Sequence, residues 1–106
     1  MKIININEFE NLIKNSDERM FFRFYADWCP YCRNSKQDAD DVVSKYKKKN
    51  IFFVNIENEN VWASDGNTTL ALNVVPTQRV YENKKLVWEI EGVMTKYQLE
   101  KIISNL

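Results

Sequence analysis

The chain has 106 residues, of which 44% are hydrophobic and 28% charged, so it has the size and composition of one folded domain and not of a disordered segment. Fifteen basic residues balance fifteen acidic ones, and a net charge of zero gives no reason to expect a nucleic-acid partner. We therefore treat 1–106 as a single domain. The most basic run, 45–50, is predicted to be a solvated helix end.

The first ten residues, MKIININEFE, have neither the apolar segment nor the cleavage site of a signal peptide. No apolar run in the chain is long enough to span a membrane. We expect a cytoplasmic protein that does not enter a membrane. A structural disulfide would not persist in that compartment.

The first half of the chain has the pattern of alternating strands and helices. A strand is predicted at 2–6, followed by a helix that begins at Asn7, where Glu10 completes a capping-box pattern. The nearly continuous apolar run 20–26 predicts a strand that is covered on both faces.

A second helix is predicted to begin at the two cysteines that follow this strand, and 51–56 is a further buried strand. The apolar stripe of that helix repeats with a period near 3.6 residues. It consists of Ala39, Val42, Val43 and Tyr46. The result is a strand–helix–strand unit with parallel strands.

The second half is predicted to be an antiparallel hairpin and a terminal helix. A turn at 64–69 leads to a short helical piece around 70–73, and strands 76–82 and 85–91 then alternate between faces. Gly92 ends the second of these strands. Thr95 and Gln98 form a capping box, and Met94 and Leu99 form its hydrophobic staple. The stripe that buries this helix is Leu99, Ile102, Ile103 and Leu106. The fold class is therefore α/β, with about five strands in a mixed sheet and helices on both faces.

The chemistry of the chain is expected at ADWCPYCRN, residues 26–34, which hold its only two cysteines. A helix N-terminus presents free N–H groups and a partial positive charge, so it stabilises a thiolate at Cys29. Pro30 suits the first helical turn. Cys32 lies one turn inward and can attack a mixed disulfide formed at Cys29. Trp28 is expected to shield one side and to offer an apolar contact surface.

Two other interpretations of the cysteine pair are possible. A buried, inert pair is unexpected between Trp, Pro and Tyr at a helix start. A zinc site needs four ligands, and this chain has no histidine and no further cysteine, so a metal would require two chains that share their cysteines. No metal is expected.

The stretch FYADWCPYC (24–32), the stretch VVPT (74–77), the hairpin, and Gly92 before a terminal helix together resemble the thioredoxin family over essentially the whole chain. The resemblance implies a cis bond between Val75 and Pro76, and a substrate peptide that pairs with the backbone before the proline. The residues implied in substrate binding are Trp28, Pro30, Tyr31, Val75, Pro76 and Thr77.

Three features depart from the family pattern. Thioredoxins usually have Gly-Pro between the cysteines, whereas Pro30–Tyr31 is the glutaredoxin dipeptide. Glutaredoxins, however, bind glutathione partly through a Gly-Gly pair, and Gly92 stands alone. Arg23 takes the position of a buried aspartate, and Phe53 replaces the lysine that partners it. Arg23 either extends to the sheet edge or places a positive charge beneath the cysteines that makes the couple more oxidising.

The sequence therefore predicts a monomeric thiol–disulfide oxidoreductase that reduces protein disulfides and is less reducing than ordinary thioredoxin. No bound cofactor is expected, only an external electron donor, either a thioredoxin reductase or glutathione. A glutathione-dependent reductase stays open as an alternative. So does a binding module that holds a partner on Trp28, Tyr31 and Pro76, with the cysteines dispensable.

Overall fold

Strands and helices alternate along the chain in the computed structural model, which describes residues 2–48 and 50–106. The strands are β1 (Lys2–Ile4), β2 (Met20–Tyr25), β3 (Ile51–Asn55), β4 (Thr77–Glu82) and β5 (Lys85–Glu91). The helices are α1 (Ile6–Asn15), α2 (Pro30–Lys45) and α3 (Lys96–Ser104), and a short 3-10 turn covers Ala63–Asp65.

The strands form one five-stranded sheet in the order β1-β3-β2-β4-β5. The first three are parallel, whereas β4 runs antiparallel to both β2 and β5. The predicted α/β class with a mixed sheet is thus confirmed. Because β2 is the middle strand, the segment that follows it leaves the sheet at its centre, and this segment carries both cysteines.

Apolar clusters cover both faces of the sheet. Phe22 and Phe24 of β2 pack with Phe9 of α1 on one face, together with apolar side chains of the segment 56–75. Phe21 packs on the other face, against α2 and α3. Successive residues of a strand point to opposite faces, so a continuous apolar run is what a strand between two helical layers requires.

The start of α1 differs from the prediction at Asn7. The cap is Asn5, whose side chain accepts a hydrogen bond from the Glu8 N–H at 2.9 Å while Glu8 bonds back to the Asn5 N–H at 3.3 Å. This register places Ile4 and Phe9, both buried, at the two positions of a hydrophobic staple. A cap at Asn7 would instead pair Ile6 with the polar Asn11, and β1 is correspondingly shorter than predicted.

The short helical piece predicted around 70–73 is absent from the described structure. A 3-10 turn lies earlier, at Ala63–Asp65, and ends at Gly66 with φ at +85°. The Asn67 side-chain oxygen accepts hydrogen bonds from the three N–H groups of residues 69–71, at 3.2, 2.8 and 2.8 Å. A side chain that takes up these amides holds the backbone in an irregular path instead of a helix.

The hairpin and the terminal helix are confirmed, with one difference in burial. The turn residues Asn83 and Lys84 both have positive φ, as tight hairpin turns require. The side chains of β5 alternate between exposed and half-buried, but β4 is buried on both faces because it lies between two strands and under helices. The α3 capping box of Thr95 and Gln98 forms as predicted.

The predicted basic helix end at 45–50 is only partly helical. The helix ends at Lys45 with Tyr46 as its cap, so part of the predicted basic helix end lies beyond it, and Lys49 in that run is outside the described residues.

Within the described ranges, every helix is too short or too polar to cross a membrane.

Candidate active site

Cys29 is the N-terminal cap of α2, where β2 leaves the middle of the sheet. Its sulfur accepts a hydrogen bond from the Cys32 N–H at 3.2 Å, and its thiol donates one to the Val75 carbonyl oxygen at 3.4 Å. Pro30 occupies the first helical turn, where its missing N–H costs no hydrogen bond. The sulfur therefore lies between a helix N-terminus and the segment that precedes β4.

Cys32 is one turn further along α2 and only 2% exposed. Both cysteines are free thiols. Burial, and after it the hydrogen bond with Cys29, raise the pKa of the Cys32 thiol to about 12. At neutral pH Cys32 is a protonated, enclosed thiol, which suits a group that reacts second and not first.

Arg23 lies in the middle strand and is 2% exposed, so its side chain does not extend to a sheet edge. Its Nη2 donates hydrogen bonds to the Cys32 carbonyl oxygen at 3.1 Å and to Ser35 Oγ at 3.0 Å. The guanidinium carbon is 5.6 Å from the centre of the Tyr25 ring and 5.4 Å from that of Phe53. Burial lowers the pKa of Arg23, and the neighbouring Cys32 partly offsets this.

Phe53 thus provides a partner for the arginine that replaced the aspartate. It stands directly across from Arg23 in the β2–β3 register. An aromatic ring face attracts a cation, and this contact compensates part of the cost of burying the guanidinium charge. The two departures from the family pattern, Arg23 and Phe53, are therefore in contact with each other.

The segment before β4 approaches Cys29 through Val75. The Val75–Pro76 peptide bond is cis, and the Pro76 carbonyl oxygen accepts the Gly92 N–H at 2.8 Å. Thr77 has no exposed surface, and its hydroxyl donates to the Val74 carbonyl oxygen at 2.7 Å. Thr77 can therefore affect a substrate only by holding residues 74–76 in place.

Exposed apolar side chains lie near the buried Cys29 sulfur. Trp28 is 57% exposed, Tyr31 69% and Val74 44%. The Trp28 ring is 6.3 Å from that of Trp62, which packs on the core beneath it. These side chains form an exposed apolar patch, and its use as a contact surface for substrates stays a prediction.

Ser35, Trp62 and Val74 were not predicted as site residues. Ser35 follows Cys32 by three positions, which places it on the same helix face, and it links Arg23 to the Tyr31 carbonyl oxygen at 2.7 Å. Trp62 gave a weak signal, as a large aromatic in a polar segment.

Within the described parts of the chain, no group of three or more potential metal ligands is present.

Comparison with protein families gives one match over nearly the whole chain. The family model described as Thioredoxin matches residues 1–105. Thioredoxin Y2, chloroplastic, from Arabidopsis thaliana is 31% identical over 99 residues, which cover 93% of this chain and 58% of that protein. Thioredoxin from Haemophilus influenzae is 29% identical over 105 residues, which cover 96% of this chain and 92% of that protein.

Solved structures show the same architecture. Mitochondrial thioredoxin 3 from Saccharomyces cerevisiae, in its oxidised form, superposes with a TM-score of 0.70 at 25% identity, covering 100% of this chain and 94% of that one. Plasmodium falciparum thioredoxin superposes with a TM-score of 0.74 at 22% identity, covering 99% and 98%. Because its identity is only 22%, the likeness to the Plasmodium falciparum protein supports the fold alone.

Proposed function

The chain belongs to the thioredoxin family of thiol–disulfide oxidoreductases, and on that premise we propose that it reduces disulfide bonds of protein substrates through Cys29 and Cys32. The observation that carries the proposal is the position of Cys29 Sγ at the N-terminus of α2, 3.2 Å from the Cys32 N–H and 3.4 Å from the Val75 carbonyl oxygen.

The reaction is two thiol–disulfide exchanges in series. The Cys29 thiolate attacks one sulfur of the substrate disulfide, the substrate S–S bond breaks, and the released substrate thiolate takes up a proton. Cys32 then loses its proton and attacks Cys29 Sγ. The Cys29–Cys32 disulfide forms, the second substrate thiol leaves, and two electrons have passed to the substrate.

The exposed patch around the sulfur supports protein substrates. Trp28, Tyr31 and Val74 offer apolar surface, and an extended substrate segment would pair with the backbone at Val75, before Pro76. Pro30, exposed beside Tyr31, belongs to the same surface. The chain is proposed to act as a monomer.

A trapping experiment tests this function. Cys32→Ser removes the resolving thiol, so mixed disulfides with disulfide-containing protein partners should accumulate on Cys29 and be visible on non-reducing gels. Cys29→Ser, with the same number of cysteines, is the matched control and should trap none. If Cys32→Ser traps nothing while partners still bind, the binding-module alternative, with dispensable cysteines, replaces this proposal.

We also propose that the couple is less reducing than that of ordinary thioredoxin. The glutaredoxin dipeptide Pro30–Tyr31 supports this, and so does the Arg23 charge near the two cysteines, since a positive charge stabilises a thiolate and hence the reduced form. Reference potentials are roughly −270 mV for thioredoxin and roughly −200 to −230 mV for glutaredoxins. Equilibration with glutathione should place this chain in the upper range, and a value at or below about −270 mV contradicts the proposal.

Arg23→Asp should lower the potential, by about 30 mV if the equilibrium constant with glutathione changes about tenfold. Arg23→Gln removes the charge with less disturbance, so it serves if the aspartate variant does not fold. Arg33→Gln, an exposed arginine next to Cys32, is the control for loss of any nearby positive charge and should shift the potential less. Equal shifts in both arginine variants would show that burial of Arg23 is irrelevant.

The electron donor and the compartment stay predictions. A thioredoxin-family protein needs no bound cofactor, so the donor is external, a thioredoxin reductase or glutathione. Insulin reduction driven by thioredoxin reductase, compared with reduction driven by glutathione and its reductase, separates the two. A rate that depends on glutathione alone would favour the glutaredoxin-like alternative. The prediction of a cytoplasmic protein is tested by cell fractionation.

A further inference from the structure

A cleft of 720 Å³ runs along α2 on the side of β1 and β3. The α2 residues in its wall recur at helical spacing, through Cys32, Lys36, Asp40 and Val43. Its volume lies within the range of about 300–1,000 Å³ that ligand pockets occupy. The exposed surface at Trp28 and Tyr31, which the proposed reaction uses, is not part of its lining.

The charge of the cleft is strongly one-sided in a chain whose net charge is zero. Among its described lining residues only Asp27 and Asp40 are acidic, and six are basic. The basic residues are Lys2, Arg23, Arg33, Lys36, Lys47 and Lys48. Asp40 is already paired with Lys36 at 2.6 Å, so it is not free to neutralise the others. A concave site with this excess of positive charge attracts anions.

Arg23 is the buried charge in this cleft. Its Nη2 makes both of its hydrogen bonds, whereas Nε and Nη1 donate to no residue that the structure describes, and neither is sealed from solvent. Among the described residues, no carboxylate is within ion-pair distance of the guanidinium. Two donor nitrogens of this buried arginine therefore have no hydrogen-bond partner among the described residues, and an oxyanion is their natural partner.

Most of the remaining wall is apolar. Ile3 is 59% exposed and Tyr46 is half-buried, whereas Phe53 is buried against the guanidinium. An inorganic ion would leave this apolar surface uncovered. A ligand with an anionic group and an apolar body would cover both parts.

We propose that this cleft binds a small organic anion, with its carboxylate or phosphate group at Arg23 and its apolar body against Ile3 and Tyr46, and that the bound anion makes the cysteine couple more reducing. The second half rests on the proposed function. An anion at Arg23 offsets a positive charge that acts on both cysteines, so it weakens thiolate stabilisation in the reduced form and favours the disulfide. By linkage, the oxidised protein binds the anion more tightly than the reduced protein.

Calorimetry on the oxidised chain tests the binding. The probes are benzoate and phenyl phosphate, which distinguish a carboxylate from a phosphate ligand, and benzamide as an uncharged analogue of the same shape. At least one anion should bind saturably with one site per chain. In NMR spectra of the protein, the backbone amide shifts that this anion changes should centre on Tyr25, Ser44 and Phe53. Absence of saturable binding by both anions, or equal binding of benzamide, overturns the proposal.

Three variants locate the site. Arg23→Gln should abolish binding, and Ser44→Trp, which adds a large side chain at an exposed position of the cleft wall, should do so without touching a buried charge. Arg79→Gln is the matched control, because Arg79 is also a buried arginine but lies across the sheet, paired with Glu89 at 2.6 Å. Binding that survives both Arg23→Gln and Ser44→Trp is nonspecific charge attraction and contradicts the site.

The redox coupling is measured separately. The dissociation constant for the anion should be about fivefold lower for the oxidised than for the reduced chain. Equal dissociation constants for the two forms would contradict the proposed effect on the cysteine couple but not the proposed binding site. Neither titration requires turnover, whereas the Cys32→Ser trapping experiment requires no anion, so failure of the cleft and failure of the proposed function are distinguishable.

Discussion

The Cys32 thiol combines two properties that oppose each other. Reaction requires it to lose a proton, yet burial raises its pKa from an ordinary value of 9.0 to about 12. The Arg23 charge lowers the same pKa, but by less than burial raises it. An enclosed thiol with a high pKa is slow to react until a mixed disulfide brings its target within reach.

This shift makes the stability of the reduced protein depend on pH. Between pH 9.0 and about 12 the unfolded chain has released the Cys32 proton and the folded chain has kept it. Since the unfolded state then binds fewer protons, the free energy of unfolding falls with rising pH, by roughly 1.4 kcal/mol per unit at most. The stability that the protonated Cys32 thiol contributes to the folded chain is fully present below pH 9.0 and is lost as the pH approaches 12.

Urea denaturation of the reduced chain at about pH 8 and about pH 10 measures this loss. Lysines and tyrosines also titrate in that range, so Cys32→Ser is required as the reference. The free energy of unfolding of the wild type should fall more steeply with pH than that of Cys32→Ser. Parallel profiles would mean that burial does not hold the Cys32 proton.

The sequence could predict Arg23 as unusual but not its environment. The strand pattern placed Arg23 in a buried run, and only the strand order shows that this run is the middle of the sheet. Its contacts with Ser35 and Phe53 join β2 to α2 and β3. Contacts between elements depend on how helices and strands pack, which no local spacing encodes.

At the scale of single elements, both capping boxes could be predicted from the sequence, and one was missed. Thr95 with Gln98 was found because Met94 and Leu99 complete the staple. Near the N-terminus two Asn-x-x-Glu patterns overlap, starting at Asn5 and at Asn7. Only the staple separates them, because Asn5 alone has apolar partners at both staple positions.

The segment 57–73 shows where local patterns fail. The sequence predicted a short helical piece around 70–73, yet Asn67 takes up the nearby N–H groups with its side chain while Leu70 and Leu72 are buried. An isolated bridge between Trp62 and Leu72 holds the segment on the core. Such a path depends on one side chain and has no periodicity to read.

The cap assignment leads to a direct comparison of two asparagines. Asn5→Ala should lower the free energy of unfolding by about 1 kcal/mol, because the Glu8 N–H loses its side-chain partner. Asn7→Ala, two residues further at an exposed position, should change it by less than about 0.5 kcal/mol. Urea denaturation of the two variants decides the matter. A larger effect at Asn7 than at Asn5 would contradict the observed cap.

At the scale of the whole molecule, the two apolar clusters share one sheet. Phe22 and Phe24 of β2 belong to the cluster under α1, and Phe21 belongs to the cluster under α2 and α3. A strand that contributes to both clusters should couple them, so that the domain unfolds as one cooperative unit. Phe9 is the place to test this coupling, since it is the buried residue of α1.

Phe9 packs its ring edge-to-face against Phe22 at 4.8 Å, against Phe24 at 5.2 Å and against Tyr81 at 5.5 Å. Phe9→Ala should cost about 3–5 kcal/mol, a large part of the roughly 5–15 kcal/mol that stabilises a domain. Glu10→Ala, on the exposed side of the same helix, is the control and should cost less than about 0.5 kcal/mol.

The tryptophans allow the coupling to be observed across the sheet. Trp88 packs on the far cluster, 6.5 Å from the Phe21 ring, so a chain with Trp28→Phe and Trp62→Phe reports on that cluster alone. In this background, Phe9→Ala should shift the urea midpoint of Trp88 fluorescence as far as that of circular dichroism, because loss of α1 contacts weakens β2 on both faces. If the Trp88 transition stays in place while helix content falls earlier, α1 unfolds on its own and the two clusters are separate units.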